Sequence, residues 1–404
     1  MNPKNPTAPK RSDAIDGLRG IAALTVLVFH AWLYTRTQVT AGARESVVDY
    51  ALHEGRLGLV LFFVLSGFLL WRPWVAAATG RRDRPSTPTY LVHRGARVLP
   101  GYYLALIGSI VLLWGAAGTP GVRLPDAELL PLFLVFGQNF NPGSVMKLDP
   151  PMWTLAVEVS FYLLLPVVAL LAALRLPRNR VAQALVPLAL LAVGVLWNHE
   201  IAGMRSIVAG KVLPAMLPYF ALGMLAAVAL DGRPRFGPKV VWPLLLAGCA
   251  LVVGDAVWQA NGAATESTSH AFRIWRDLPG AAGFALIVAA AAGGDGSGTK
   301  LLRARPLVAF GTISYGVYLW HVPLLLYARH LGLLPLDTVG GLVVALLLTV
   351  PVAAASWRWL EQPAIARGRA LTERWEARAR GGAQAASISS RWRPKALTRT
   401  DSGG

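Results

Sequence analysis

The stretch 16-DGLRGIAALTVLVFHAW-32 is an apolar run of nearly membrane-spanning length, with Arg19 at one end and His30 in its apolar part. About 20 apolar residues in a helix cross the ~30 Å hydrocarbon core of a bilayer. A strongly polar group near the centre of such a helix costs about 2.5–3.5 kcal/mol on insertion scales, so it is kept there for a reason. The run therefore reads as a membrane helix and, through His30, as the first pointer to a site.

Apolar runs of the same kind recur along the chain. Of its 404 residues 54% are hydrophobic and 15% charged, against about 25% charged in soluble domains. Mean hydropathy is +0.48. The pattern predicts an all-α, polytopic membrane helix bundle with about ten spans, over 17–35, 57–74, 98–117, 153–174, 181–198, 210–230, 240–260, 278–293, 307–328 and 339–360. The polar N-terminal tail leads straight into a run long enough to span, so no cleavable signal peptide is expected. A single cysteine, Cys249, excludes an internal disulfide and a cysteine metal cluster, and no metal is expected.

The net charge of +18 does not point to nucleic acid, because the basic residues fall in short tracts between the apolar runs: 81-RRDR-84, 175-RLPRNR-180, 233-RPR-235, 303-RAR-305 and the tail from Arg367 to Arg399. With both termini cytoplasmic, inner segments hold 28 of the 39 Lys and Arg and outer segments 10, the bias expected of a chain in the cytoplasmic membrane. The segment 128-ELLPLFLVFGQNF-140 is too short to span, and counting it as a span would move 175-RLPRNR-180 outside. It is expected to be re-entrant or tucked into the outer half, with protein or water satisfying its backbone. The chain thus divides into a cytoplasmic tail (1–14), a transmembrane domain (15–365) and a basic cytoplasmic tail (366–404). The last is expected to be disordered, with Trp375 and Trp392 available to the anionic inner leaflet.

Further polar groups lie inside or at the ends of the runs. Arg19 and His30 are eleven residues apart, about 16.5 Å along a helix. Arg19 is thus expected at the inner interface and His30 near mid-membrane. An imidazole there is a general base or a hydrogen-bonding link to a neighbouring helix, and both readings stay open. In 62-FFVLSGFLLWRPW-74, Ser66 and Gly67 read as a close helix contact. In 90-YLVHRGARVLPGYY-103, Arg94 and Arg97 share a helix face and suit phosphate oxygens, or are a snorkelling positive-inside pair. Glu158, five residues past Trp153, falls in the outer half of its span and faces a cavity or a structural partner. His321, in 311-GTISYGVYLWHVPLL-325, is expected at a similar depth. Glu361 is placed to pair with the inner arginines, and its helix is expected to end before Pro363. Asp255, Glu200, Asp337 and 293-GGDGSG-298 read as loop or helix-end chemistry, and the glycine stretch lacks the Lys-Ser/Thr of a P-loop.

Taken in order, 15-IDGLRGIAALTVLVFH-30, 62-FFVLSGFLL-70, 94-RGAR-97, 153-WTLAVEVSFYLLLP-166, 314-SYGVYLWH-321 and 359-WLEQP-363 resemble the membrane-bound acyltransferase-3 family, over residues 15–363. The resemblance implies transfer of an acyl group, usually acetyl, from acyl-CoA to a hydroxyl, commonly on a sugar of a surface polysaccharide, a glycolipid or an antibiotic. It places His30 and Glu158 in the catalytic centre, and Arg19, Arg94 and Arg97 on the donor. Trp153, Ser314, Tyr315 and His321 are then expected on the substrate. Many relatives carry two adjacent acidic residues in the fourth-helix motif, whereas Val159 follows Glu158 here. Some also carry an extracellular hydrolase-like domain, and the stand-alone form is expected here. A transporter or flippase for a glycolipid or acyl-chain precursor is the competing class, since intramembrane polar groups mark transport paths too. Against it, the chain shows no paired Gly/Pro-interrupted segments in matching halves.

Overall fold

A computed structural model describes residues 12–36, 46–201, 206–265, 275–296 and 298–391. Residues 1–11 of the N-terminal tail, position 297 of the glycine stretch and Trp392 lie outside that set. Among the described residues the chain is helical, without a named strand. In order the helices are α1 (Asp13–Tyr34), α2 (Val47–His53), α3 (Leu57–Ala78), α4 (Thr87–Gly115), α5 (Leu130–Leu134), α6 (Trp153–Arg175), α7 (Arg180–Glu200), α8 (Leu213–Leu230), α9 (Pro238–Thr265), α10 (Leu278–Gly293), α11 (Arg305–Thr312), α12 (Ser314–His330), α13 (Thr338–Ser356) and α14 (Gln362–Arg391).

Eight of the described segments are long and apolar enough to cross a membrane. The ten expected runs are all helical, but two depart from straight spans. The run expected over 307–328 is broken into α11 and α12, which bend by 71°. Ser314 Oγ donates to the Gly311 carbonyl (2.8 Å), satisfying one acceptor at the break. The run at 278–293 is the 16-residue helix α10, about 24 Å long and short of a full core thickness.

Close backbone contacts seat the central helices. Asp13 and Asp16 in the first turn of α1 oppose the positive end of its dipole. A Cβ on Gly311 would stand 1.8 Å from the Asp16 carbonyl oxygen, and one on Gly17 1.8 Å from that of Leu302. Between α3 and α8 the contact is reciprocal: a Cβ on Gly67 would lie 2.0 Å from Phe220 O, and one on Gly223 2.0 Å from Val64 O. The close approach expected at Ser66–Gly67 is therefore present. Gly67→Val is expected to destabilise the detergent-solubilised protein by about 3 kcal/mol or more, because the clash is with backbone that cannot swing aside. A thermal melt against Ser66→Ala, which adds no atoms at that contact, checks it.

The segment expected to be re-entrant is three short pieces: a 3-10 turn at Ala127–Leu129, the five-residue α5, and a second 3-10 turn at Gln138–Phe140. Its backbone is satisfied by protein, as a non-spanning stretch in apolar surroundings requires. The hydroxyls of Tyr102 and Tyr103 donate to Phe133 O (2.7 Å) and Leu134 O (2.8 Å). Ser144 Oγ donates to Gln138 O (2.9 Å).

Two expectations at the C-terminal end need correction. The helix does not stop before Pro363. A π-helical turn, Trp357–Glu361, joins α13 to α14, and Pro363 is the second residue of the new helix. The wider turn absorbs the missing N–H and the proline ring clash that would break an ordinary α-helix interior. Nor is the chain unstructured over 366–391, since α14 continues to Arg391, and residues 392–404 of that expectation lie outside the described set. Its first part is held against α4, where a Cβ on Gly368 would lie 2.8 Å from Ala96 Cβ and where His93 Nε2 pairs with Thr372 Oγ1 (2.9 Å). Trp375 is exposed on this helix.

Candidate functional site

Two cavities lie side by side along α1. The first is lined by Arg19, Ser66, Arg94, Arg97, Glu158, Tyr162, Ser314 and Tyr315. The second is lined by His30, Arg56, Trp153, Lys211, Arg276 and Asp277 among others. Leu59, Phe63 and Tyr318 belong to both, so these three side chains form a common wall. Eleven residues of helix therefore carry the site from the arginine end to the imidazole, as the spacing of Arg19 and His30 requires.

In the first cavity, Arg94 and Arg97 are on the same face of α4, as their i, i+3 spacing predicts. Arg97 stacks against Tyr315 (5.6 Å) and Trp357 (5.4 Å), and its Nη1 lies 3.8 Å from Glu361 Oε2. The expected pairing of Glu361 with an inner arginine is thus present, and Ser356 Oγ donates to the other carboxylate oxygen of Glu361 (3.0 Å). Arg19 Nη2 is 3.5 Å from Ser314 Oγ. Tyr315 spends its hydroxyl on Val98 O (2.8 Å), which leaves its ring as the surface facing the cavity. Arg94 Nε is buried without a hydrogen-bond partner. Three guanidiniums line this cavity with one carboxylate, Glu158, while Glu361 pairs with Arg97, an excess of positive charge that suits an anionic, phosphate-bearing group.

Glu158 is not where its depth along α6 suggested. It lies in the arginine cavity and not beside the histidines, and its Oε1 accepts from Ser66 Oγ (3.1 Å) and Tyr162 Oη (2.5 Å). Ser66 thus has a polar role next to its packing one. Residues 66 and 158 are 92 positions apart, so no local pattern shows the link.

His321 is paired with His30 instead. His321 Nε2 and His30 Nδ1 are 3.0 Å apart. The protonation pattern follows from the remaining contacts. His321 Nδ1 faces Val317 O at 3.0 Å, and a carbonyl only accepts, so in neutral His321 the proton is on Nδ1 and Nε2 carries a lone pair. His30 Nδ1 also faces a carbonyl, Val26 O at 3.0 Å, so it too carries the proton and shares it with His321 Nε2. This leaves His30 Nε2 as an unprotonated lone pair on a residue that lines the second cavity. Tyr34 stacks on His30 and Phe29 meets it edge-on (centroids 6.0 and 4.7 Å), which fixes the ring plane. An imidazole so oriented can act as a general base or nucleophile, and His321 lies buried behind it, where it can hold the ring in place.

Sequence reasoning passed over several lining residues. Arg56 donates to both oxygens of Asp277 (2.7 and 2.9 Å) and to Glu54 (2.8 Å), across 221 residues in the first case. Tyr318, in the common wall, bonds to Thr154 Oγ1 (2.8 Å). Asp149, next to the cavity-lining Pro150 and Pro151, has both oxygens buried without a partner, and burial holds its carboxyl well above the usual range. The only signals were polar residues next to apolar runs, as in 53-HEGR-56 and 148-LDPP-151.

Comparison with known proteins fits this arrangement. An acyltransferase-domain family profile matches residues 12–358. O-acetyltransferase OatA of Staphylococcus aureus is 24% identical over 390 residues, covering 89% of this chain and 58% of OatA, so the chain spans little more than half of that relative. Acyltransferase MdmB of Streptomyces mycarofaciens is 28% identical over 338 residues, covering 80% of this chain and 81% of MdmB. Nodulation protein 10 of Rhizobium leguminosarum bv. viciae is 25% identical over 400 residues, covering 93% of this chain and 99% of that protein. No solved structure matches. Because the profile takes in α1 through the π turn, with both histidines, the arginine pair and Glu158, the chain belongs to the acyltransferase-3 family.

Proposed function

We propose that this protein is a multi-pass O-acyltransferase of the cytoplasmic membrane, with both termini cytoplasmic. It moves an acyl group, acetyl in the first instance, from acyl-CoA to a hydroxyl of a carbohydrate-containing acceptor. The observation that carries the reading is the common wall of Leu59, Phe63 and Tyr318 between an arginine-lined cavity and a cavity lined by a base. The donor's phosphates bind Arg19, Arg94 and Arg97, and its pantetheine arm passes the wall to bring the thioester to His30. The acceptor enters the second cavity beside Trp153. His30 Nε2 takes the hydroxyl proton as the oxygen attacks the thioester carbonyl. The C–S bond then breaks, and the proton returns from His30 to the departing CoA thiolate. Glu158, held by Ser66 and Tyr162 among the arginines, serves the donor side by setting their charge and direction. Ser314 and Tyr315 line the donor cavity for the same reason.

Detergent-purified protein and labelled acetyl-CoA test this. Thioester turnover with label appearing on a saccharide supports it, and movement of a glycolipid across vesicles without turnover supports transport instead. Arg94→Ala is expected to raise the KM for acetyl-CoA about 10- to 100-fold, the loss of one charge-assisted contact, while the KM for the acceptor stays within about twofold. An unchanged donor KM in both Arg94→Ala and Arg97→Ala would reduce the pair to a topology signal.

A further inference from the structure

The second cavity holds a positive charge that the reaction does not use. Lys211 Nζ sits 4.0 Å from the ring centroid of Trp153, and both residues line the cavity of His30. The pair is built and not incidental. Asn139, itself 1% exposed, sends its Nδ2 to the backbone carbonyls of Trp153 (2.7 Å) and Lys211 (2.6 Å), so one amide clamps the indole and the ammonium in register. Phe63 meets the indole edge-on (centroids 6.3 Å), fixing it from the common-wall side. Among the described residues no carboxylate lies within ion-pair distance of Lys211. Asp277, the carboxylate lining this cavity, is already taken by Arg56 and by Gln259 Nε2 (3.0 Å). Arg276 adds a second cation at the cavity rim, 3.8 Å from Asp277 and half exposed.

A partly buried ammonium without a counter-charge is costly unless something anionic arrives to pair with it. The indole of Trp153, 6% exposed, backs the ammonium, so the two present one locked wall to the cavity. Resting on the O-acyltransferase reading, we infer that the acceptor is a saccharide bearing an anionic group, a carboxylate or phosphate that pairs with Lys211 and Arg276 in the cavity of His30. This anchors one end of the acceptor so that a neighbouring hydroxyl reaches His30.

The test is equilibrium binding to the full-length protein in detergent, with methyl β-D-glucuronide, α-D-glucose 1-phosphate and neutral methyl β-D-glucoside as probes. At least one anionic probe is expected to bind tenfold or more tightly than the glucoside, and the two anionic probes show whether carboxylate or phosphate is preferred. Lys211→Met should weaken the preferred anion about 10- to 100-fold, leave the glucoside unchanged, and be rescued by Lys211→Arg. Arg276→Gln, half exposed at the rim, should weaken the same probe in the same direction. Equal binding of anionic and neutral probes by the unaltered protein overturns the inference. So does a Lys211→Met protein that loses affinity for acetyl-CoA and not for the sugar, which would put Lys211 on the donor. Thioester turnover is measured separately, so its absence would remove the enzyme reading while leaving the anion preference decided by binding.

Discussion

Replacing His30 by alanine is expected to lower kcat/KM for acyl transfer by about 100- to 10,000-fold, the usual contribution of a positioned general base, while acetyl-CoA still binds. The arginine cavity proposed for the donor phosphates lies on the far side of the common wall from His30, so on that proposal the imidazole does not supply donor affinity. The loss should fall on kcat, because the base acts on a proton that moves only during reaction. His321 gives the internal control. It touches His30 and lies behind it, so His321→Ala should lower kcat by a smaller factor, about tenfold, as the His30 ring keeps its bond to Val26 O but loses the second acceptor for Nδ1–H. His321→Gln, whose amide oxygen can accept from His30 Nδ1, should recover much of that loss, whereas a merely structural role would treat alanine and glutamine alike. Full turnover by a well-folded His30→Ala protein would remove the base from the mechanism. Measuring acetyl-CoA binding on the same preparations separates lost chemistry from lost folding.

How much of this was legible in the sequence depends on the distance over which each feature is encoded. The spans could be read because ~20 apolar residues leave no other stable arrangement in lipid. The Arg94–Arg97 face followed from a three-residue spacing, and the Arg19–His30 offset from eleven residues of rise. What the pattern could not show was azimuth. Glu158 and His321 were placed by depth alone, yet rotation about their helices turns Glu158 onto Ser66 in the arginine cavity and turns His321 onto His30. Nor could a one-dimensional pattern reveal a pairing such as Arg56 with Asp277, made by loops that meet only after the bundle assembles. The proline at 363 misled for a different reason. Its usual effect as a helix stop is offset by a π turn, which has no comparably strong sequence signature.

That long-range pairing carries the second large effect. Arg56→Met is expected to destabilise the protein by about 3–5 kcal/mol, because one guanidinium serves two largely buried carboxylates and its removal takes the short charged contact from both. Asp277 would lose both of its Arg56 bonds and keep Gln259 and the longer ion pair to Arg276 (3.8 Å), while Glu54 would keep only His53 Nδ1 at 2.9 Å. The cluster joins the start of α3 to α9 and to the N-terminal end of α10, so its loss should loosen the rim of the His30 cavity before the arginine end. Asp277→Asn alone should cost less, since Arg56 retains Glu54 and the amide oxygen still accepts. The two changes should not add: combining Arg56→Met with Asp277→Asn removes one of the charges that lose Arg56, so the double variant should be more stable than Arg56→Met by about 1–3 kcal/mol, the range of coupling between contacting residues. Thermal melts of the four proteins in one detergent close that cycle. Strict additivity would mean that Arg56 and Asp277 are each held by other partners, and the pair would then be a consequence of the fold and not one of its fasteners.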